Sequence, residues 1–132
     1  MAPPMVLVLD GDLGFLFALS QELSRRQIHA VPARTYHEAH SLLTRLQIDP
    51  DLLVVDCSAP GACRLIKEIV RKLPGLHIVA FVSEHQDCRD CADHLTARLH
   101  DPEDKTADRI SYCVDVVTRL AREQALFLVR AR

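Results

Sequence analysis

Asp51-Leu52-Leu53-Val54-Val55-Asp56-Cys57-Ser58-Ala59-Pro60-Gly61 runs an unbroken apolar stretch into a carboxylate and then into a proline-glycine turn. Continuous apolar character, rather than alternation, marks a strand buried on both faces, as in a parallel sheet covered by helices. Ligands of such sheets bind in the crevice outside the carboxyl ends of the strands, and Asp56 stands at such an end. Val6-Leu7-Val8-Leu9 finishes the same way on Asp10-Gly11-Asp12. Neighbouring strands lie about 5 Å apart, so Asp10, Asp12 and Asp56 are candidate ligands for one shared cation.

Outward from these two strands, short apolar runs alternate with segments of helical period, the pattern of a parallel sheet wrapped by helices. Leu13 to Arg25 reads as a helix with Leu16, Leu19 and Leu23 on one face, and Ile28 to Val31 as a short strand. Thr35 with Glu38 forms a capping box for a helix that turns Ala39, Leu42, Leu43 and Leu46 inward and ends at Asp49-Pro50. A helix from about Ala62 to Lys72 buries Leu65, Ile66, Ile69 and Val70, Pro74-Gly75 stops it, and Ile78 to Val82 is a fourth strand.

Beyond Ser83 the segment Glu84 to Asp93 is polar and supports only a short or irregular helix. His94 to Leu99 reads either as a fifth strand or as a continuation of that helix. Asp101 can cap a last helix, with Pro102 in its first turn and Glu103 and Asp104 against its dipole. Ile110, Val114, Val117 and Ala121 repeat along it, and it can reach Val129.

The 132 residues are 48% hydrophobic and 26% charged, with a formal charge of −2. That size and balance predict one domain over residues 1–132, with a core from about 5 to 121 and a helical extension from about 122 to 132. The charge argues against direct nucleic-acid binding, which needs a basic face. No run approaches the roughly 20 apolar residues of a membrane span, and the first residues lack the basic and apolar regions of a signal peptide. A cytoplasmic location is expected. Five cysteines, one directly beside Asp56, suit reduced thiols better than a disulfide framework.

His85, Cys88, Cys91 and His94 recur at every third position. On a helix they sweep around half the surface and cannot converge on one zinc ion, so a polar surface segment is the simpler reading. Cys88-Arg89-Asp90-Cys91 does not follow the first strand of a thioredoxin-like unit. Gly11 and Gly14 alone make no phosphate loop.

The order of elements and the residues at the strand ends resemble the receiver domains of bacterial two-component response regulators. The resemblance runs from Val6 to about Leu120. It rests on Val6 to Asp12, on Asp51 to Asp56 with Pro60 four residues later, and on Ile78 to Ser83. It implies a three-layer flavodoxin-like α/β sandwich with a five-stranded parallel sheet in order 2-1-3-4-5. It also implies that Asp56 is the phospho-acceptor, attacking a partner's phosphohistidine, and that Asp10 belongs to a Mg²⁺ pocket.

The sequence departs from the family pattern at three places. Gly11 stands where a second acid is usual, so Asp12 must lean in if Mg²⁺ is to bind, and binding is expected to be weak. The switch hydroxyl falls on Val82 in the ungapped reading, with Ser83 one position late. The lysine of the fifth strand falls on Ala97, or on Lys105 in a competing register. These departures imply an atypical or pseudo-receiver that signals through protein contacts, with weak or absent phosphorylation of Asp56. Its partners would be a histidine kinase, a phosphotransfer protein or an output protein, or a second copy of itself, and no enzymatic activity of its own is expected. The chain is also similar to the N-terminal wing domain of bacterial ornithine, lysine and arginine decarboxylases, which implies an oligomerisation role. Leu126, Phe127, Leu128 and Val129 extend past the length a compact receiver-like domain needs and are interface candidates; the alternative is that they fold back or fray.

Overall fold

In the computed structural model, which describes residues 3–83 and 89–131, a single sheet carries β1 (Met5–Leu9), β2 (His29–Ala33), β3 (Leu52–Asp56), β4 (His77–Val82) and β5 (Ala97–His100). All pairs are parallel and the order is 2-1-3-4-5, as the resemblance to receiver domains implies. The central strands β1, β3 and β4 are the most apolar, because they are covered on both faces. Pro32 lies in β2, where an edge strand tolerates a residue that donates no ladder hydrogen bond.

Four α-helices cover the sheet: α1 (Leu13–Arg25), α2 (Tyr36–Thr44), α3 (Ala62–Lys72) and α4 (Ile110–Ala131). One apolar layer joins Leu16, Leu19 and Leu23 of α1 to Val114, Val117 and Ala121 of α4 under Val8, Val54 and Phe81. The other packs Ala39 of α2 and Leu65, Ile66 and Ile69 of α3 against Leu7, Leu53 and Ile78. The chain is therefore a three-layer sandwich.

Three boundaries and one cap differ from the sequence expectation. The second helix ends at Thr44, not near Asp49, and Leu46 is exposed beyond it. Glu38 accepts from the backbone N–H of Arg34 at 2.7 Å, so only the Thr35 half of the capping box forms. The fifth strand is a strand and not a helix continuation, starting at Ala97 after a 3-10 helix over Arg89–His94.

The last helix begins at Ile110 and not at Asp101. The reason is Asp104. Its buried carboxylate accepts from the His100 N–H at 2.7 Å and from Arg109 Nε at 3.2 Å, folding residues 101–109 back over the strand end. The Asp101–Pro102 peptide is cis, and Glu103–Lys105 form a 3-10 turn.

Gln124, past the expected end of the core, is buried, and its side-chain oxygen accepts from the His77 N–H at 3.0 Å. It satisfies a donor at the start of β4 that the sheet leaves open. The side chains of Phe127, Leu128 and Val129 lie outside the described residues, while Leu126 is 47% exposed.

Candidate functional site

The register Leu9 to Val55 between β1 and β3 brings the next residues of both strands, Asp10 and Asp56, to one level at the carboxyl edge of the sheet. Local turns aim them. Asp10 Oδ1 accepts from the Asp12 N–H at 2.9 Å, and Asp12 Oδ1 in turn caps α1 through the Phe15 N–H at 3.1 Å. Asp56 Oδ1 accepts from both the backbone N–H and the hydroxyl of Ser58, at 2.8 and 2.7 Å. The turn then closes on Gly61, whose φ of +83° is a left-handed conformation that costs glycine little. A Cβ there would sit 2.6 Å from the Cβ of Tyr36, so the turn lies hard against the start of α2.

Lys105 supplies the shared cation. The fold-back held by Asp104 delivers its ammonium to 2.5 Å from Asp56 Oδ2 and 2.6 Å from Asp10 Oδ2, with Asp101 Oδ1 at 3.8 Å. The side chain is 9% exposed and its ammonium lies 5.0 Å from the ring centres of both Phe15 and Phe81. Asp10 Oδ2 is buried with no hydrogen-bond donor aligned on it, so the Lys105 charge is its compensation. The open cavity above, about 590 Å³, is lined by these groups with Gly11, Asp12, Ser58, Pro60 and Thr106.

Burial is the largest influence on each charged group here, and the partners decide which way each one finally moves. For Asp10, burial prevails and raises its carboxyl above the ordinary range despite Lys105. For Asp56, burial pushes up, but hydrogen bonds from Lys105 and Ser58 together hold the carboxyl below that range. For Lys105, burial pushes down, but its bonds to Asp10 and Asp56 raise it. The lysine stays charged, and Asp56 stays ionised with both oxygens occupied.

Ala97 opens β5, paired with Val79, and is remote from the strand end; Lys105 is the lysine that arrives. The sequence could not register it because the delivering segment is a folded-back turn and not a strand end. Val82 closes β4 half-buried, and Ser83 follows it, but neither lines the cavity. Asp12 lines the rim, with one oxygen used as the α1 cap. Asp101, which the sequence suggested only as a helix cap, lines the cavity instead. Of the spaced histidines and cysteines, His85 and Cys88 lie outside the described residues, His94 is exposed, and Cys91 is buried with its Sγ 3.8 Å from the Cys63 carbonyl.

Mg²⁺ requires near-octahedral oxygen ligands and gives up water reluctantly. The residues present do not fit it with Lys105 in place: an ammonium already bridges the two inner carboxylates, Gly11 offers no oxygen from a side chain, and Asp12 is partly spent as a cap. No group of three metal-type side chains with suitable geometry occurs among the described residues.

No family model and no curated protein matches the sequence. Solved structures match closely in shape. The signal receiver domain of an HD domain-containing protein from Pseudomonas fluorescens Pf-5 is 19% identical, with 98% of this chain and 95% of that chain covered at a TM-score of 0.76. A response regulator receiver domain protein from Clostridium thermocellum is 17% identical, covering 94% and 98% at 0.71. A response regulator receiver protein from Pseudomonas putida is 27% identical, covering 77% and 88% at 0.64. The fold is that of response regulator receiver domains. No helix among the described residues is long and apolar enough to cross a membrane.

Proposed function

We propose that this chain is an atypical receiver-like signalling module that works through protein contacts, with weak or absent phosphorylation of Asp56. The observation that carries the reading is the state of Asp56: Ser58 holds one carboxylate oxygen with two hydrogen bonds and Lys105 holds the other. Each oxygen therefore already carries a hydrogen-bond donor, which draws charge away from the lone pair that would attack. Lys105 in this reading replaces, from a different place in the chain, the charge that a bound divalent ion would supply, so Mg²⁺ binds weakly.

A hydroxyl latch is also missing from the cavity lining at the β4 end, since Ser83 does not reach it. The partner is a histidine kinase, a phosphotransfer protein or an output protein, and the module has no catalysis of its own. The oligomerisation reading is less well supported, because the pocket around Asp10 and Asp56 is open to solvent and not filled by side chains.

The test is intact-mass measurement after treatment with acetyl phosphate and Mg²⁺, beside the Asp56→Asn variant. A small phosphorylated fraction, or none, is expected. Rapid stoichiometric labelling that disappears in Asp56→Asn overturns the reading.

A further inference from the structure

A second cavity, about 340 Å³, opens between α2 and α3 and is lined by Tyr36, His40, Arg64, Lys67, Glu68, Arg71 and Lys72. Its floor is Glu68, buried and satisfied on both oxygens. Oε2 accepts from the Tyr36 hydroxyl at 2.6 Å, and Oε1 faces His40 Nδ1 at 2.8 Å and Lys72 Nζ at 2.9 Å. The Tyr36 ring stacks with His40 and carries the Arg64 guanidinium 4.5 Å from its centre. These contacts orient Tyr36, His40, Arg64, Glu68 and Lys72 before any ligand arrives.

Glu68 is the single carboxylate of α3, and the helix turns it inward. Arg64, Lys67, Arg71 and Lys72 are exposed on the outward side, so the mouth of the cavity is cationic on a chain whose formal charge is −2. His40 bonds to Glu68 through Nδ1, which leaves Nε2 on the far side of the ring. Guanidinium groups recognise phosphate oxygens in paired hydrogen bonds, and ammonium groups add point charge. The volume is at the lower end for a small-molecule site.

We propose that the cavity between α2 and α3 binds a phosphate-bearing anion, held by Arg64 and Arg71 with Lys72 and His40 at its edge. With Lys72 paired to Glu68, the guanidinium groups of Arg64 and Arg71 still line the cavity and suit a phosphate dianion better than a single carboxylate. The phosphate comes either on a small molecule or on a phosphorylated segment of a partner protein. This site is separate from Asp56 and does not depend on its phosphorylation.

The test is an amide chemical-shift titration of the full chain with pyrophosphate and, in parallel, with a phosphoserine peptide, each against sodium chloride at equal ionic strength. Saturable shifts are expected in residues 36–40 and 64–72. Arg71→Glu should weaken binding about tenfold or more, the equivalent of about 1.4 kcal/mol, while Arg119→Glu on the exposed side of α4 should leave it unchanged. Tighter binding of the peptide assigns the phosphate to a protein, and tighter binding of pyrophosphate assigns it to a small molecule. Absence of saturable shifts with both probes, or binding of undiminished affinity in a folded Arg71→Glu chain, overturns the proposal. Arg64→Gln, also exposed, gives a second variant should Arg71→Glu misfold.

Discussion

Lys105 and Asp56, 49 positions apart in the chain, meet at 2.5 Å, with Asp10 on the other side of the same ammonium at 2.6 Å. Two buried carboxylates facing each other across a sheet edge repel, and each is costly to bury unpaired. One cation between them resolves both problems.

Removing that cation should therefore cost more than removing an ordinary surface lysine. Lys105→Met is expected to destabilise the fold by about 2–4 kcal/mol, because it leaves an uncompensated buried pair. Adding Asp56→Asn to it should recover part of the loss. Urea denaturation of the two single variants and the double variant measures this, and a loss below about 0.5 kcal/mol for Lys105→Met contradicts the pairing.

Divalent ions should compete with Lys105 for the same oxygens. Titration of the wild-type chain with Mg²⁺ should move amides near Asp10 and Asp56 only at high concentration, and Lys105→Met, where folded, should bind more tightly. Tight binding by the unaltered chain speaks against a resident ammonium.

Glu68 gives the clearest dependence on pH. Burial opposes its charge, but the Tyr36, Lys72 and His40 hydrogen bonds pull its carboxyl down from 4.5 to about 2. A depressed carboxylate stabilises the fold fully above its unfolded value and loses that contribution as pH falls through the folded one. Unfolding free energy should decline from about pH 4.5 towards 2, and this part of the decline should vanish in Glu68→Gln. An identical acid limb in the variant would remove Glu68 as its source.

The helix end is the expected contact between copies or with a partner. Leu126 is 47% exposed on α4, beyond Gln124, which is already docked on β4. Leu126→Glu should reduce self-association or partner capture without loss of stability. Sedimentation velocity and thermal melts decide it; equal association by both chains argues against an interface.

The strands are legible because β1, β3 and β4 are short apolar runs closed by charged or turn residues and buried on both faces, whereas their order follows only from the resemblance to receiver domains. The inward stripes of α1 and α3 were legible for the same reason, as Leu16, Leu19, Leu23, Leu65, Ile66 and Ile69 all lie inside. Asp10 and Asp56 followed from strand ends. Lys105 was not settled, because its position depends on the Asp104 carboxylate binding the His100 N–H, a contact of a turn with no period in the sequence. Leu46 went wrong because helical spacing continued past the point where α2 stops.

Gly61 has no side chain because Tyr36 occupies the space where one would be. The loop carrying the Asp56 carboxylate therefore packs against the residue whose ring anchors Glu68 and Arg64, with no room for a side chain between them. Any larger residue at position 61 would have to displace Tyr36, and with it the ring on which Glu68 and Arg64 are set.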